Sequence, residues 1–376
     1  MPTSKAIYLE ETGELTVHEI TETYTPTDEQ SHISVKYSAI NPADLRHYYM
    51  GCHSYVAGME YIGPVVATGP NSPFEVGDVL FGVAQFGHRR PLHAGAHQDF
   101  LLAEPFMTYK VPPHIQADES EWPQAVGWLV GLRTALDALF NCMDFGLPGL
   151  GDQVQDPGNW VLHGVDPRGK SLLIWGASSS VGLAALQLAR TAGFSPIFAT
   201  ASPHNHAALT ELGATACFDY RSPTVVSEIQ AAALASGKPL AAIFDAVTAG
   251  TGFAAPPPSS TAPPPDLSKS SPAIAKQCLS PGSAAAKNDA KLCASLGVGF
   301  DPDWAFCLAA RDQKETPLFH QRLETGMTWV LDHVREIQFT VPQVRIIKGA
   351  EEGCRMIKEV FQGKISMEKV VIQHPM

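Results

Sequence analysis

The chain contains 376 residues, of which 45% are hydrophobic and 17% are charged, and its formal net charge is −12 at pH 7. This length is sufficient for two domains that each bury a core. The acidic balance argues against nonspecific nucleic-acid binding, which needs a positive field. No apolar run of about 18 residues and no signal-peptide core occur, so we expect a cytoplasmic protein with no membrane partner. Seven scattered cysteines without CxxC spacing indicate reduced thiols.

Short apolar runs dominate the first 40 residues. They occur at Lys5–Leu9, Leu15–Glu19 and His32–Ser38 and are separated by turn residues, which is typical of a small antiparallel sheet. Between Trp122 and Asn141 the apolar residues instead recur at helical spacing, so this segment is predicted to be a helix.

A strand, a tight turn and a helix follow one another after Lys170. The apolar run Ser171–Trp175 predicts the strand, and the amphipathic segment Leu183–Ala192 predicts the helix. The turn between them contains Gly176, Ser178, Ser179, Ser180, Val181 and Gly182. Such a turn presents backbone N–H groups, and here serine hydroxyls, at a helix N-terminus that suits a pyrophosphate. The dinucleotide-binding fingerprint has a third glycine where Ser178 stands, so an ordinary Gly/Ser helix start remains the alternative.

The residues after the second strand of this region indicate which dinucleotide binds. The strand is predicted at Pro196–Thr200, and its tip continues with Ser202, Pro203, His204 and Asn205. An NAD site places a carboxylate about 20 residues beyond the glycines to bind the ribose 2′-hydroxyl. This tip has no carboxylate, and Tyr220 and Arg221 are available to add a ring and a cation beside a 2′-phosphate. The sequence therefore predicts NADPH rather than NADH.

The doubly wound pattern continues toward the C-terminus, with one interruption. A helix is predicted at Val225–Leu234 and a strand at Leu240–Asp245. Residues 254–265 hold six prolines in twelve positions, which predicts an exposed, mobile insertion. Beyond it, helices are predicted at Pro272–Leu279, Glu324–Val334 and Ala350–Gln362, and a strand at Val344–Ile347.

Several motifs together resemble the zinc-free medium-chain dehydrogenase/reductase superfamily. They are GASSSVG at 176–182, SPHN at 202–205, FDYR at 218–221, NPADLR at 41–46, VGDVLFG at 76–82 and GKISMEKVVI at 363–372. SPHN followed by FDYR is most similar to the trans-acting enoyl reductases of fungal polyketide biosynthesis, of the lovastatin type. The resemblance implies an α/β fold with two domains. A GroES-like β-barrel catalytic domain would span 1–125 and 325–376, and a doubly wound parallel-sheet (Rossmann) cofactor domain would span 126–324.

The resemblance also implies which residues form the site. In the family, the turn that corresponds to Asn41, Pro42, Ala43, Asp44, Leu45 and Arg46 approaches the nicotinamide half of the cofactor. Thr134 corresponds to a threonine that faces substrate and nicotinamide, and positions near the cofactor correspond to Ala246, Val247, Ile365 and Ser366. We therefore expect Thr134, Arg46 and Asn41 to make the catalytic contacts.

Arg46 stands where lysine is common in the family. Its planar fork favours clamping a phosphate or the substrate over donating a proton. The alternative for residues 41–46 is a surface turn that an Asx-type bond from Asn41 stabilises.

The sequence predicts no metal. The positions that hold the catalytic zinc ligands in related alcohol dehydrogenases are Pro42-Ala43 and Met59 here, and the four-cysteine lobe is absent. His88, His93 and His97 match no standard ligand spacing.

The resemblance further implies a strand after Gly282 that closes the sheet beside the nicotinamide. Residues 283–291 suit a helix better than a strand, and Cys293–Phe300 contains only a weaker candidate. This departure raises the expectation that the nicotinamide strand is missing.

Three functions follow from these patterns. The first is an NADPH-dependent enoyl reductase that acts in trans on an α,β-unsaturated thioester held by the acyl carrier protein of a polyketide synthase. The second is a stand-alone quinone or alkenal reductase. The third is a non-redox cyclase, isomerase or remnant, which the missing strand motivates. Either a monomer or a homodimer fits the sequence.

Overall fold

The computed structural model describes residues 4–85, 87–88, 90–147, 164–256, 264–279 and 290–376. The chain forms two compact units. The first unit comprises residues 1–130, 254–256 and 340–376, and the second comprises 131–253 and 257–339. The domain bounds inferred from the resemblance stay a prediction.

The strands are β1 (Ser4–Leu9), β2 (Leu15–Ile20), β3 (Ser31–Ser34), β4 (Tyr37–Ala39), β5 (Tyr55–Val56), β6 (Glu60–Thr68), β7 (Val79–Val83), β8 (Phe100–Ala103), β9 (Thr108–Lys110), β10 (Ser171–Trp175), β11 (Ile197–Thr200), β12 (Ala216–Phe218), β13 (Leu240–Asp245), β14 (Lys291–Ala294), β15 (Trp304–Phe306), β16 (Gln343–Lys348) and β17 (Glu368–Gln373). The helices are α1 (Ala43–Arg46), α2 (Pro113–Gln116), α3 (Trp122–Ala125), α4 (Leu129–Leu136), α5 (Ser180–Ala192), α6 (His206–Glu211), α7 (Val225–Ala235), α8 (Ser271–Gln277), α9 (Pro317–Asp332) and α10 (Ala350–Phe361), and a π-helical turn spans Asp137–Cys142.

The first unit is built from two sheets. One has the strand order β2-β1-β5, and the other has the order β16-β17-β4-β6-β3-β8, with β7 pairing β6 and β9. The C-terminal strand β17 pairs antiparallel with β4 through Val371 and Ala39. The last strand of the chain is thereby placed beside the turn at residues 41–46.

The second unit contains a six-stranded parallel sheet in the order β12-β11-β10-β13-β14-β15. Its central strand β10 is buried along its whole length, as expected for a strand in a sheet covered on both faces. Trp175 at the end of β10 pairs with Thr200 of β11 and Asp245 of β13, so the carboxyl ends of these strands share one edge. The doubly wound pattern predicted from the sequence is confirmed here.

The expectation of a missing closing strand was wrong. Lys291–Ala294 forms β14, which pairs in parallel with β13 through Ala294 and Asp245, and β15 follows at its outer side. Leu292, Cys293 and Ala294 are buried. A short strand buried on both faces needs no alternating pattern, so its sequence gives little periodic signal. Of residues 283–291, which suit a helix better than a strand, residues 283–289 lie outside the described residues and Lys291 begins β14.

Two predicted helices differ from the observed ones. The segment from Trp122 to Asn141 is divided into α3, α4 and the π-helical turn. Helix α9 begins at Pro317, seven residues before its predicted start at Glu324, because proline is well suited to the first helical position. Of the proline-rich insertion, residues 257–263 lie outside the described residues. None of the helices that are described has both the length and the apolarity to cross a bilayer.

Candidate functional site

The glycine-rich turn of the second unit is shaped by steric contacts at two positions. Gly176 has φ +78°, and a Cβ there would lie 2.5 Å from Val247 Cγ1. A Cβ at Gly182 would lie 2.4 Å from the Gly176 carbonyl oxygen and 2.7 Å from Ala177 Cα. Both positions therefore need glycine, the first for its left-handed backbone and the second for the close approach of α5 to the turn.

The serines of this turn have different tasks. Ser179 is the N-cap of α5, because its Oγ accepts a hydrogen bond from Gly182 N at 3.1 Å and donates to Gly176 O at 2.9 Å. Its hydroxyl is therefore used within the turn and is not an extra donor for a ligand, which corrects the sequence expectation for this serine. Ser178, Ser180 and Val181 are partly exposed at the N-terminus of the 13-residue helix α5. A helix of this length supplies unpaired N–H groups and a positive dipole end at that point.

The tips of β11 and β13 lie beside the turn. Thr200, the last residue of β11, accepts a hydrogen bond from Gly176 N on its Oγ1 at 3.0 Å. Ala246 N donates to Trp175 O at 3.0 Å, and Val247 contacts the position of Gly176. The structure thus brings the glycine-rich turn, Ala246 and Val247 together at one sheet edge.

The segment after β11 carries the predicted SPHN residues. Ser202 precedes a short 3₁₀ helix at Pro203–Asn205, and Asn205 N donates to Ser202 O at 2.9 Å. Asn205 is buried, whereas Pro203 and His204 are exposed.

Tyr220 and Arg221 follow β12, the neighbouring strand. Tyr220 is 44% exposed, and the Arg221 guanidinium lies 5.4 Å from its ring centroid. Arg221 also donates to Asp219 at 3.0 and 3.2 Å. These bonds hold the pKa of Asp219 below its usual value. The predicted ring and cation are therefore present, but the cation is shared with a carboxylate.

Asp245 is a fully buried carboxyl at the tip of β13. It accepts hydrogen bonds from Ser271 Oγ at 2.5 Å, from Thr248 N at 2.8 Å and from Val247 N at 3.0 Å. Burial raises its pKa to about 6, although these three donors favour the ionised form. The carboxyl fixes the backbone that follows Ala246.

In the first unit, the turn at residues 41–46 is buried at its start. Asn41 and Asp44 are each 2% exposed, and Asp44 Oδ2 accepts from Asn41 N at 2.7 Å. The alternative of a surface turn held by an Asn41 Asx-type bond is therefore wrong, because the capping carboxylate is that of Asp44. Leu45 is buried in the core, and Pro42 and Ala43 are partly exposed.

The Asn41 side chain belongs to a buried ionic cluster. Its Nδ2 donates to Glu60 Oε2 at 2.9 Å, and its Oδ1 accepts from Lys369 Nζ at 2.8 Å. Lys369 Nζ also lies 2.6 Å from Glu60 Oε2, and Val130 N donates to Glu60 Oε1 at 2.8 Å. The cluster ties the turn to β6, β17 and the start of α4. A catalytic role for Asn41 stays a prediction, and its amide is fully engaged in the structure.

A chain of hydrogen bonds continues from Asp44 through the core of the first unit. Asp44 Oδ2 is 3.3 Å from His97 Nε2, and Ser38 Oγ is 2.9 Å from both His97 Nδ1 and His374 Nε2. His374 Nδ1 is 3.0 Å from Asp99 Oδ1. Burial lowers the pKa of His374, and the pKa of Asp99 lies below its usual value because bonds from His374 and Met376 N outweigh the opposing effect of burial.

Arg46 and Thr134 are placed in different units. Arg46 is half-buried at the end of α1, where burial lowers its pKa, and it forms no ion pair within the described residues. Thr134 lies in α4 and is 7% exposed. Ile365 packs against the core of the first unit, and Ser366 is exposed just before β17.

The three histidines considered as metal ligands have separate partners. His88 Nδ1 lies 3.2 Å from Gly51 O, the His93 ring is 5.9 Å edge-on from that of Tyr24, and His97 belongs to the hydrogen-bond chain. Among the described residues, no group of three or more His, Cys, Asp or Glu is placed to hold a metal ion.

Sequence reasoning missed the buried cluster and the hydrogen-bond chain. Lys369 stands within the motif at 363–372, which was used only for the resemblance, and His97 was considered only as a metal ligand. One signal was present, since Lys369 precedes the apolar run Val370–Ile372 and lysine is rarely buried unless it is paired.

Comparisons with known proteins agree with this architecture. The family model of the alcohol dehydrogenase GroES-like domain matches residues 27–112, and that of the zinc-binding dehydrogenase matches residues 180–255. The fold resembles that of an alcohol dehydrogenase superfamily protein from Novosphingobium aromaticivorans, with a TM-score of 0.70 and 18% identity over 99% of both chains. It also resembles CurK enoyl reductase, with a TM-score of 0.65 and 18% identity over 98% of this chain and 99% of the other.

The chain belongs to the medium-chain dehydrogenase/reductase superfamily. It is 30% identical to the trans-enoyl reductase ACTTS2 of Alternaria alternata over 67% of both chains. It is 34% identical to the trans-enoyl reductase pyiC of Pyricularia grisea over 53% of this chain and 50% of the other. The chain thus spans about half the length of the first curated relatives that it matches. One of the matching families is named for zinc binding. In this chain the positions of the catalytic zinc ligands hold Pro42, Ala43 and the buried Met59, and these side chains do not fit a zinc site.

Proposed function

We propose that this protein is an NADPH-dependent enoyl reductase that acts in trans on an α,β-unsaturated thioester carried by a polyketide synthase. The observation that carries the proposal is the glycine-rich turn at the shared carboxyl edge of β10, β11 and β13, in a chain similar to fungal trans-enoyl reductases. The non-redox hypothesis was based on the expected absence of the closing strand, and β14 is present, so that reason no longer applies.

The turn fits the pyrophosphate of a dinucleotide. The contacts that a side chain would make at Gly176 and Gly182 show that the backbone is packed as closely as such a turn requires. Residues of α5 from Ser180 onward would bind the pyrophosphate with their N–H groups. When bound, NADPH supplies the hydride that reduces the β-carbon of the enoyl group.

The choice of NADPH over NADH rests on the segment after β11. Ser202 and the exposed His204 replace the carboxylate that would repel a 2′-phosphate. Tyr220, with Arg221 over its ring, offers a surface for the adenine side. Arg46 is a half-buried cation without an ion-pair partner in the described residues, and it would clamp a phosphate of the cofactor or of the carrier arm.

The polar groups that act on the substrate would be few. Thr134 would donate a hydrogen bond to the thioester oxygen, where negative charge develops when the hydride reaches the β-carbon. The buried cluster of Glu60, Lys369 and Asn41 would hold the turn at residues 41–46 in one position. Water or a weak donor would deliver the proton to the α-carbon.

Titration of the purified protein with NADPH and NADH tests the cofactor. We expect NADPH to bind at least tenfold more tightly, and Ser202→Asp to lose most of that preference because its carboxylate faces the 2′-phosphate. Ser227→Asp, an exposed position in the same unit that adds the same charge, is the matched control. Equal binding of both dinucleotides by the unaltered protein would contradict the NADPH assignment.

Stopped-flow mixing with an enoyl thioester tests the reaction. We expect NADPH oxidation with a carrier-bound enoyl thioester, and a lower kcat/KM with the same acyl group on a short free thiol. Oxidation with free quinones or alkenals alone would favour the stand-alone reductase. Tight NADPH binding with no oxidation by any of these substrates would refute the reductase.

A further inference from the structure

Thr248 has a backbone conformation that threonine rarely adopts. It lies just beyond the end of β13, is 3% exposed and has φ +49°. A β-branched side chain is crowded by its own backbone in this left-handed region, whereas glycine enters the region freely. In the part of the chain that the structure describes, no other β-branched residue has a positive φ. Such a conformation persists only where the surrounding contacts fix it, and it is typical of functional sites.

Hydrogen bonds fix both the backbone and the side chain of Thr248. Its N–H donates to Asp245 Oδ1 at 2.8 Å, and the same carboxyl accepts from Ser271 Oγ at 2.5 Å. Its Oγ1 accepts from Leu296 N at 3.1 Å and lies 3.2 Å from Ser295 Oγ. Since Ser295 and Leu296 directly follow β14, the hydroxyl joins the tip of β13 to the segment that leaves β14.

This bridge accounts for a threonine at a position where glycine would be unstrained. Glycine adopts a φ of this sign at no steric cost, but it has no hydroxyl to accept the hydrogen bond from Leu296 N. The strain at Thr248 is therefore accompanied by a contact between two strand tips that glycine cannot make.

The bridge lies at the same edge of the parallel sheet as the glycine-rich turn. A Cβ at Gly176 would lie 2.5 Å from Cγ1 of Val247, the residue before Thr248. Strand β11 lies on one side of β10, and β13 and β14 lie on the other. A dinucleotide in a doubly wound sheet has its pyrophosphate at the first turn and its adenosine ribose at the tip of the next strand of the chain, here β11. Its other half therefore extends over β13 and β14, where the bridge lies.

We propose that Thr248 is a positioning residue for the nicotinamide half of the bound dinucleotide. It acts through the backbone of Val247 and Leu296, because its hydroxyl fixes the segment after β14 relative to the tip of β13. The inference rests on the proposed function, namely that the chain binds NADPH at this edge and transfers its hydride.

Loss of the bridge should affect the two halves of the dinucleotide differently. The adenosine half would contact the glycine-rich turn and the tip of β11, which the bridge does not touch. The nicotinamide half would lie on two segments that are no longer joined, so the ring would occupy several positions. Because hydride transfer needs the reacting atoms at a near-attack distance, the rate of transfer should fall more than the affinity.

Three substitutions of Thr248 separate the hydroxyl from the strain. Thr248→Val keeps the shape but leaves Leu296 N without its acceptor, Thr248→Gly removes both the hydroxyl and the strain, and Thr248→Ser keeps the hydroxyl. The matched control is Thr215→Val. Thr215 Oγ1 accepts from Ile197 N at 2.9 Å, so the control removes the same kind of bond between neighbouring strands, but at the amino end of the sheet.

Binding and single-turnover measurements on the full chain test the proposal. Each variant is titrated with NADPH and with 2′-phospho-ADP-ribose, which lacks the nicotinamide ring, and is then mixed with NADPH and an enoyl thioester. We expect Thr248→Val and Thr248→Gly to bind the analogue as the unaltered chain does, to bind NADPH roughly threefold more weakly and to transfer hydride about tenfold or more slowly. Thr248→Ser should restore both properties. Equal weakening for NADPH and the analogue, or normal hydride transfer in Thr248→Val, would overturn the proposal.

Amide exchange in the protein without cofactor provides a readout that does not depend on activity. The Leu296 amide should exchange faster in Thr248→Val and Thr248→Gly but not in Thr248→Ser or Thr215→Val. Thermal unfolding of Thr248→Gly at no lower temperature than Thr248→Val would show that its loss of transfer does not come from lost stability. Unchanged Leu296 exchange in Thr248→Val would overturn the proposal alone. An unaltered chain that binds neither NADPH nor the analogue would refute the proposed function and this inference with it.

Discussion

The buried Lys369 ammonium holds two groups of the first unit at once, the Glu60 carboxylate at 2.6 Å and the Asn41 amide oxygen at 2.8 Å. Lys369→Met fills a similar volume but leaves a buried carboxylate without its cation. We expect the free energy of unfolding to fall by about 3–5 kcal/mol, as for other broken buried pairs. Urea denaturation measures this change.

The double variant Glu60→Gln/Lys369→Met separates the charge from the packing. It removes both charges, so we expect it to recover a large part of the loss that Lys369→Met alone causes. If the free energy of unfolding of Lys369→Met were within about 1 kcal/mol of that of the unaltered protein, the Glu60–Lys369 pair would not be what holds the turn at residues 41–46.

The Asp245 carboxyl predicts a specific dependence of stability on pH. Burial raises its pKa from 3.8 to about 6 in the folded protein, so between these values the folded state holds a proton that the unfolded state has released. The free energy of unfolding contributed by this group therefore falls as pH rises from about 4 to about 6. Relative to Asp245→Asn, the unaltered protein should lose roughly 3 kcal/mol between pH 4 and pH 7.

Subtracting the free energy of unfolding of Asp245→Asn from that of the unaltered protein at each pH cancels the contributions of other groups that titrate in this range. One of them is His47, whose pKa burial lowers to about 4, so that its contribution has the opposite slope. The control is Asp166→Asn, an exposed carboxyl whose pKa is lowered by bonds from Arg168 and which should give no such fall. If the difference in free energy of unfolding between the unaltered protein and Asp245→Asn did not change with pH, Asp245 would be ionised in the folded protein throughout this range.

The residues of the hydrogen-bond chain explain why sequence reasoning stopped short of the site. Ser38 and His374 are neighbours in the structure at 2.9 Å but are 336 positions apart in the chain. Their pairing depends on the antiparallel alignment of β17 with β4, and no local pattern encodes it. In contrast, the glycine-rich turn is a contiguous motif, so its position could be predicted from a few neighbouring residues.

At the scale of elements, helix α5 packs so closely against the glycine-rich turn at Gly182 that adding one methyl group there would disturb the contact. Gly182→Ala would place a Cβ 2.4 Å from the Gly176 carbonyl oxygen, and backbone must move to relieve that contact. Because the same turn presents the N–H groups for the pyrophosphate, we expect NADPH affinity to fall by roughly tenfold or more, or about 1.4 kcal/mol. Fluorescence titration measures the affinity.

Gly299→Ala is the matched control for that change. It adds the same methyl group in the same unit, but a Cβ at Gly299 has no heavy atom within 4 Å. We expect it to bind NADPH as the unaltered chain does. Similar losses in both variants, or none in Gly182→Ala, would mean that the turn does not bind the dinucleotide.

Elements with a strong local pattern were predictable and those without one were not. The apolar run at β10 and the alternation of β1 and β2 correspond to the predicted strands within a residue. Strand β14 has four residues and begins with Lys291, so only its pairing with β13 reveals it. The π-helical turn likewise has no sequence signal, because its residues continue the apolar spacing of α4.

At the scale of the whole molecule, hydrogen exchange can examine each of the two units by itself. The glycine-rich turn and the tips of β11 and β13 belong to the second unit, and the turn at residues 41–46 belongs to the first. In the resembled family both regions approach the cofactor. We therefore expect saturating NADPH to slow amide exchange in residues 176–182 and 200–205 and also in residues 41–46.

A bound ligand also stabilises the folded state as a whole, by about 2.7 kcal/mol at one hundred times its Kd. The exchange of amides that open only by global unfolding should therefore slow by the same factor. Binding at a turn is shown by a slowing of its amide exchange that exceeds the slowing in core strands such as β6 of the first unit. Gly182→Ala, measured at the same NADPH concentration, should lose the extra protection in both turns. Extra protection confined to residues 176–182 and 200–205 would show that the cofactor engages the second unit alone. The proposed roles of Arg46 and of the turn held by Lys369 would then have to be abandoned, while the dinucleotide site itself would stand.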